Sequence, residues 1–398
     1  MNPRFDVVPR RGASQGKPVH VHPPENRAHM KSAAAFPARR GASALFRLLQ
    51  RLCHAGLSSF APILLLLALL GWGCGSSSSP SSSTGPASAS YADQFDYVWQ
   101  TFDLNYSYFV YKNIDWQSLK DTYRPMAIQA TSEEQFTQVL VQMLGNLHDL
   151  HVRLVDPSGN SVPTFTPANF INFDTGVWQQ YLQTKGSNIQ QTAEYTTGYL
   201  DGVGYFAVPS WDPASSSQAA DLDAALEQFQ NAPALIVDVR MNGGGDGNTA
   251  NSFAGRFADQ SRIGGYDRFR DGAAHTDFGP ILSRSVAPRG PWQYRGPVYL
   301  LIGRGCYSSN EDFIAQMREY PNVTVVGDTS GGHSGYPVIY PLSSGWQFTV
   351  STWIDYTAEM QVIEDRGIDP AIFVPVTSAS FQAGTDPVLD YAIGHLGS

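Results

Sequence analysis

The sequence is poor in cysteine, since its 398 residues include only Cys53, Cys74 and Cys306. Cys53 and Cys74 lie in a basic and apolar N-terminal segment and Cys306 alone lies in the body of the chain, so we expect no internal disulfide after processing. No group of cysteines and histidines has the spacing of a zinc site. We therefore expect no metal and no cofactor, and we interpret Cys306 as a small buried thiol.

Basic residues are scarce after position 74. The first 74 residues hold ten of the 26 Lys and Arg side chains and two of the 35 Asp and Glu side chains, which leaves 16 basic and 33 acidic side chains in the remainder. Nucleic-acid backbones bind basic surfaces, so this excess of negative charge argues against a nucleic-acid partner.

A long hydrophobic run is also missing. The apolar stretch Phe60 to Cys74 is too short to span a bilayer comfortably and, after four arginines between residues 39 and 51, is typical of a signal peptide. We predict a leader over 1–74, with Met30 as a possible true start, and a flexible Ser/Pro-rich linker over 75–90. Cys74 resembles the lipid-attachment site of a bacterial lipoprotein, which implies an exported protein anchored in the cell envelope; simple secretion is the alternative.

Two patterns divide the rest of the chain. Residues 91–142 carry aromatic and apolar side chains at helical spacing, and a Ser-Glu-Glu start precedes the last helix of this region. From Gly202 onward short apolar strands alternate with helices, which is typical of an α/β domain built on parallel strands. We predict a helical domain over 91–152 and an α/β core over 153–398.

Ser308 lies where a strand gives way to a helix. The apolar run Val298 to Ile302 ends in a Gly-x-Gly turn, and apolar residues with helical spacing follow Ser309. Ser308 with Glu311 spells a capping box, which is the structural interpretation. The functional interpretation is a nucleophile beside free backbone N–H groups, where an oxyanion is readily held.

A glycine-rich segment, Asp238 to Gly245, follows another apolar strand. Its three consecutive glycines expose backbone N–H groups and allow a ligand to approach closely. The segment lacks the spacing of a phosphate or dinucleotide loop, and a plain turn is the alternative. Asp238 and Arg240 are expected to brace the loop rather than react.

Two further groups could take part in catalysis. His148, Asp149 and His151 suggest a metal at first sight, but they lie at a helix end and a strand start rather than on one helix face. A general base is the better functional interpretation for one of the histidines, with a structural histidine as the alternative. Glu364, after a short strand, could orient a histidine as the third member of a triad, or lie in a surface loop.

Together these segments resemble the tail-specific (C-terminal processing) serine peptidase family. The resemblance rests on Asp-x-Arg-x-Asn-Gly-Gly-Gly, the Ser-x-x-Glu helix start, "VVGDTSGG" and "GIDP", in that order, and covers the chain from about Tyr91 to Leu396. It implies a ClpP/crotonase-like catalytic core and peptide or unfolded-protein substrates.

The branch of the family follows from what the chain lacks. The position where many members carry the lysine of a Ser–Lys dyad holds His333, and no lysine lies between Ser308 and Gln361. The segment 157–201 is too short for the PDZ domain of those members, so we expect none. The chain is instead similar to the tricorn-core and interphotoreceptor retinoid-binding protein branch, in which "GNLHDLHVRL" aligns His151 with the base and "EDRGIDP" aligns Glu364 with the orienting acid.

The resemblance implies an exported serine endopeptidase. Ser308 would be the nucleophile, His151 the base and Glu364 the orienting carboxylate, with His333 as the alternative base. The N–H groups of Ser309 and of Gly243 or Gly244 would hold the oxyanion. A non-catalytic ligand- or peptide-binding module on the same scaffold is the alternative function.

Overall fold

This computed structural model describes residues 89–396. The predicted leader over 1–74, the linker over 75–90 except its last two residues, and lipid-attachment residue Cys74 lie outside the described residues and stay predictions. None of the helices within 89–396 combines the length and the apolar character that crossing a membrane requires.

Three helices form the N-terminal region, as their sequence pattern predicts. They are α1 (Tyr91–Asn105), α2 (Trp116–Gln129) and α3 (Glu133–Gly145). Each begins at a side chain that accepts a hydrogen bond from a backbone N–H of its first turn, and these caps are Ser90, Asp115 and Ser132. The aromatic side chains of the region are buried in its own core, which includes Phe95, Phe102 and Trp116.

The strands and the remaining helices alternate along the chain. In order they are β1 (Arg153–Val155), β2 (Ser161–Pro163), α4 (Thr175–Thr184), β3 (Gly186–Gln191), β4 (Thr196–Leu200), β5 (Val203–Ala207), α5 (Gln218–Glu227), β6 (Leu235–Asp238), α6 (Gly247–Ala254), β7 (Arg262–Phe269), β8 (Leu282–Val286), β9 (Val298–Ile302), α7 (Ser309–Met317), β10 (Val323–Gly327), β11 (Pro337–Pro341), β12 (Gln347–Ser351), β13 (Trp353–Thr357), β14 (Ile372–Phe373), α8 (Ser378–Gln382) and α9 (Pro387–Leu396).

A seven-stranded sheet in the order β14-β10-β9-β6-β5-β4-β3 forms the centre of the core. The strands from β14 to β5 pair in parallel. The β5–β4 and β4–β3 pairs are antiparallel. Alternate residues of β9 point to opposite faces: Leu300 packs with α5, α6 and α7, whereas Leu301 packs with α4 and α9. Burial on both faces explains why these strands read as continuous apolar runs, and the predicted α/β core behind a helical region is confirmed.

Two loops leave the same edge of this sheet. Strands β6 and β9 are parallel neighbours, with Asp238 opposite Leu301. The glycine loop (residues 239–246) follows β6 and the Ser308 turn (residues 303–308) follows β9, so the sheet brings their residues together. A second sheet, β11-β12-β1-β2, shares its core with the helical region and holds His151 just before β1.

Some finer predictions differ from the structure. The sequence predicts one strand over 347–353, whereas this segment contains β12 and the start of β13, which are separated at Thr352. The sequence also predicts a short strand over 360–362, just before Glu364, but residues 360 and 361 are irregular and Val362 makes a single bridge to Tyr356. The boundary at residue 152 and the absence of a PDZ domain stay predictions; within 157–201, α4 packs against the central sheet and β3 and β4 belong to it.

Candidate active site

Ser308 has an unusual backbone conformation. Its φ of 57° and ψ of −136° lie in a region that residues other than glycine rarely adopt. Its N–H donates to the carbonyl of His333 at 2.8 Å, which helps to fix this conformation. The hydroxyl of Ser308 caps no helix N–H and makes no hydrogen bond within residues 89–396. Strain of this kind is often found at functional sites, where the surrounding structure maintains it.

The capping-box interpretation of Ser308 is wrong, because Glu311 has other partners. One oxygen of the buried Glu311 carboxylate accepts hydrogen bonds from the Ser330 hydroxyl and the Gly332 N–H, and the other accepts the N–H of His333 at 2.9 Å. Glu311 thus braces the loop that holds Ser308. Burial raises its pKa to about 7, although these hydrogen bonds oppose the shift.

The glycine loop is braced as the sequence predicts. The buried guanidinium of Arg240 bonds both oxygens of Asp238 and reaches Asp386 at 2.9 Å. Further along, the Asn242 side chain accepts the N–H of Gly244 at 2.8 Å. The Gly244 N–H therefore already donates a hydrogen bond, whereas the N–H groups of Gly243 and Ser309 have no acceptor within residues 89–396.

Gly244 lies against the Ser308 turn. Its φ is +106°, and a Cβ atom there would lie 2.8 Å from Cβ of Ser308 and 2.9 Å from the carbonyl oxygen of Tyr307. Gly243 is less crowded, since its nearest neighbour would be a Tyr307 ring carbon at 4.0 Å. The chain therefore needs glycine at position 244 more than at 243.

His151 is buried at one wall of the cleft that contains Ser308. Its backbone N–H donates to Oδ1 of Asp149 at 2.8 Å, and its ring Nδ1 lies 3.9 Å from the same oxygen. No other carboxylate within residues 89–396 lies within 4 Å of the ring nitrogens. Burial lowers the pKa of His151, and the nearby Asp149 charge opposes this. The ring is therefore neutral near pH 7, as a general base must be.

Glu364 is buried but does not contact His151. Its Oε1 lies 2.7 Å from Nζ of Lys112, and its Oε2 accepts the N–H of Ser334 at 2.9 Å. Burial and then the Asp149 charge raise its pKa, while Lys112 lowers it. Within the described residues no hydrogen bond joins Glu364 to His151, so the direct contact expected from the sequence is not seen. Asp149 occupies the position next to the imidazole.

His333 supports Ser308 through its backbone rather than its ring. The ring is buried between Tyr307 and Phe165, at centroid distances of 5.4 and 6.1 Å. Burial lowers its pKa to about 4. The His333 side chain does not line the cleft, which favours His151 over His333 as the base.

Five of the predicted residues line one cleft of about 960 Å³, namely His151, Gly243, Gly244, Ser308 and Ser309. Glu364 and His333 lie outside its lining. Cys306 is fully buried, as the sequence predicts, and burial raises the pKa of its thiol. The sequence interpretation missed Lys112 and considered Asp149 only as a metal ligand, although its place two residues before His151 was a signal.

Models of two known families match the chain. Residues 202–374 match peptidase family S41, and residues 87–145 match the tricorn protease C1 domain. The first match spans the glycine loop, the Ser308 turn and Glu364, and the second spans the three N-terminal helices.

Individual relatives show the same similarity. The tail-specific protease of Haemophilus influenzae is 28% identical over 148 residues, which are 36% of this chain and 19% of that protein. The crystal structure of a candidate peptidase from Parabacteroides merdae is 29% identical with a TM-score of 0.69, over 78% of this chain and 98% of that one. Mature CPAF is 13% identical with a TM-score of 0.56, over 77% and 96% of the two chains, and its likeness concerns the fold alone.

Proposed function

We propose that this chain, as a member of peptidase family S41, the tail-specific serine peptidases, hydrolyses peptide bonds through an acyl-enzyme on Ser308. The observation that carries the proposal is the conformation of Ser308. A strained turn between β9 and α7 presents its hydroxyl, unpartnered within residues 89–396, to a cleft that His151 also lines. A merely structural serine at a helix start would use its hydroxyl as a cap.

The chemistry follows from the neutral state of His151. His151 accepts the proton of the Ser308 hydroxyl as the oxygen attacks the carbonyl carbon of the peptide. The C–N bond then breaks, and the imidazolium returns the proton to the leaving amine. Water, deprotonated by the same imidazole, then attacks the ester; its C–O bond breaks, the imidazolium returns the proton to the Ser308 oxygen, and the acyl product leaves as a carboxylic acid. Ser308 and His151 make no mutual hydrogen bond without substrate, and such bonds often tighten only when substrate binds.

The oxyanion would be held by the N–H groups of Ser309 and Gly243. Both line the cleft beside Ser308, and the Ser309 N–H is at the N-terminus of α7, where the helix dipole favours negative charge. Gly244 was an alternative donor, but its N–H is bonded to Asn242. Removal of one oxyanion donor typically costs about 3 kcal/mol of transition-state stabilisation.

We assign the two buried carboxylates different parts in supporting His151. Asp149 is the adjacent positioning residue, because its oxygen lies 3.9 Å from Nδ1 of the ring. Glu364 makes no contact with the ring; its Oε1 lies 2.7 Å from Nζ of Lys112, and burial and then the Asp149 charge raise its pKa. Glu364 thus supports His151 and Asp149 without contacting the imidazole.

Hydrolysis of an unfolded protein tests the proposal. Wild-type protein should cleave a reduced, unfolded substrate, and Ser308→Ala should lower the rate to background. Ser343→Ala is the matched control, since Ser343 is exposed and does not line the cleft. Binding of the unfolded protein without cleavage by the wild type would instead favour the non-catalytic binding module.

We also propose export and attachment through a lipid on Cys74. The basic and apolar leader and the Ser/Pro-rich segment after Cys74 support this. Mass spectrometry of the protein purified from membranes should show a diacylglyceryl group on Cys74, and Cys74→Ala should release the protein from the membrane fraction. An unmodified mature protein in the medium would favour simple secretion.

A further inference from the structure

Arg153 carries a positive charge without a partner in the wall of the catalytic cleft. It is the first residue of β1, two positions after His151, and both residues line the cleft. Within residues 89–396 its guanidinium makes no ion pair and no hydrogen bond, and its Nε is buried without an acceptor. An arginine that is partly removed from water normally finds a carboxylate, so this one lacks a partner.

The other arginine of the cleft shows the contrast. Arg284 is surrounded by three carboxylates, with ion pairs to Asp267 at 2.8 Å and to Asp312 and Asp355. Its guanidinium is already engaged by these carboxyl groups, so it has little capacity for a ligand. Although acidic side chains outnumber basic ones two to one after residue 74, none of those described pairs with Arg153.

The backbone of Arg153 is held firmly. It is opposite Pro163 of β2, its N–H donates to the Thr349 hydroxyl at 3.1 Å, and Leu154 beside it pairs with Phe348 of β12. The guanidinium therefore projects from a sheet rather than from a loop. The backbone at Arg153 is therefore ordered before a ligand arrives, and binding would order only the side chain.

We propose that Arg153 binds a carboxylate of the peptide substrate and that the enzyme therefore prefers peptides with an acidic group close to the cleaved bond. The inference rests on the proposed peptidase function and names the substrate class. The planar guanidinium can hold a carboxylate through two parallel hydrogen bonds. Asp212 and Asp246, the last residue of the glycine loop, also line the cleft. They would repel the same carboxylate and so fix the direction in which the peptide lies.

Matched peptides test the inference. One pair of quenched fluorescent peptides carries Glu or Gln next to the cleaved bond, and a second pair carries a free or an amidated C-terminus. The wild type should cleave the carboxylate member of at least one pair with kcat/KM about tenfold higher or more, as expected for a hydrogen bond to a charged group. The pair that shows the preference tells whether a side chain or the chain terminus supplies the carboxylate.

Arg153→Gln should abolish this preference while neutral peptides are still cleaved. Arg295→Gln is the charge-matched control, because Arg295 is exposed and lies outside the cleft; it should keep the wild-type preference. Arg153→Lys, which retains the charge but not the paired hydrogen bonds, should keep part of the preference. The rate of covalent labelling of Ser308 by a phosphonate verifies that each variant is folded.

The outcomes separate the two proposals. Equal cleavage of acidic and neutral peptides by the wild type, or an unchanged preference in Arg153→Gln, would overturn the role of Arg153 and leave the peptidase intact. If Arg153→Gln does not fold, the wild-type comparison and Arg153→Lys still decide. Failure of the wild type to cleave any peptide or unfolded protein would overturn the peptidase proposal itself.

Discussion

The glycine loop and the Ser308 turn touch at Gly244 and Ser308, since a Cβ atom on Gly244 would lie 2.8 Å from Cβ of Ser308. Adjacent parallel strands carry the two segments to this point. The contact leaves the N–H groups of Gly243 and Ser309 available beside the hydroxyl. The two apolar strands thus place the three glycines and the serine at one site.

Adding a methyl group should therefore have very different effects at neighbouring glycines. Gly244→Ala should lower kcat/KM at least about a hundredfold and cost about 1–3 kcal/mol of stability, because it combines a positive φ with a clash against Ser308. Gly243→Ala, whose nearest contact would be 4.0 Å away, should stay within about tenfold of wild type. Hydrolysis rates and thermal unfolding measure both effects. Equal losses in the two variants would contradict the close contact.

Asp149 should matter more to catalysis than Glu364. Asp149→Asn removes the charge 3.9 Å from the His151 ring, and we expect a loss in kcat of about 10² to 10⁴, as for other triad carboxylates. Glu364→Gln should lose at least about ten times less, because Glu364 contacts Lys112 and the Ser334 N–H rather than the imidazole. A larger loss in Glu364→Gln than in Asp149→Asn would place the orienting role on Glu364.

The pH profile gives a second readout of Asp149. Burial lowers the pKa of His151 and the Asp149 charge opposes this, so kcat/KM should fall on the acid side below the usual histidine pKa of about 6.5. Asp149→Asn should move this acid limb to still lower pH, since the removed charge raised the pKa. A limb that stays in place would show that Asp149 acts only through structure.

His333 should make stability depend on pH. Its pKa in the folded protein is about 4, below the usual value of about 6.5 for an unfolded chain. Between these values the unfolded chain binds more protons, so stability is lost as the pH falls from about 6.5 to 4. Urea unfolding should show that His333→Gln loses less stability over this window than wild type. Glu311 and Asp267, whose pKa values are raised to about 7, change the stability in the opposite direction as the pH falls. Because both proteins contain these groups, their effect cancels when the two are compared. A pH-independent difference would contradict the shifted pKa.

Much of the fold could be predicted because the relevant signals are local. Strand β9 is a short apolar run and α7 has helical spacing, so the strand–turn–helix around Ser308 is visible in the sequence. The alternation of strands and helices after Gly202 likewise predicts a parallel sheet. The irregular segment 360–362 was mistaken for a strand because two or three residues carry too little periodic signal to separate a strand from a loop.

The partners of polar side chains could not be predicted in the same way. The capping box failed because Glu311 bonds the 330–333 loop, which lies far along the chain. The Lys112–Glu364 pair joins the helical region to the end of the core, and the bond from Gly244 to Asn242 depends on the conformation of one side chain. The partner of each polar group depends on the folded structure and not on the local sequence pattern.

Covalent labelling of Ser308 tests most directly whether His151 activates it. The labelling rate with a serine-reactive fluorophosphonate is followed by intact mass and the site is located by peptide mapping, for wild type, His151→Ala and His333→Ala. We expect an adduct on Ser308 that forms at least about a hundredfold more slowly in His151→Ala and within about tenfold of the wild-type rate in His333→Ala. Labelling of His151→Ala at the wild-type rate, or an adduct on another residue, would contradict the proposed active site.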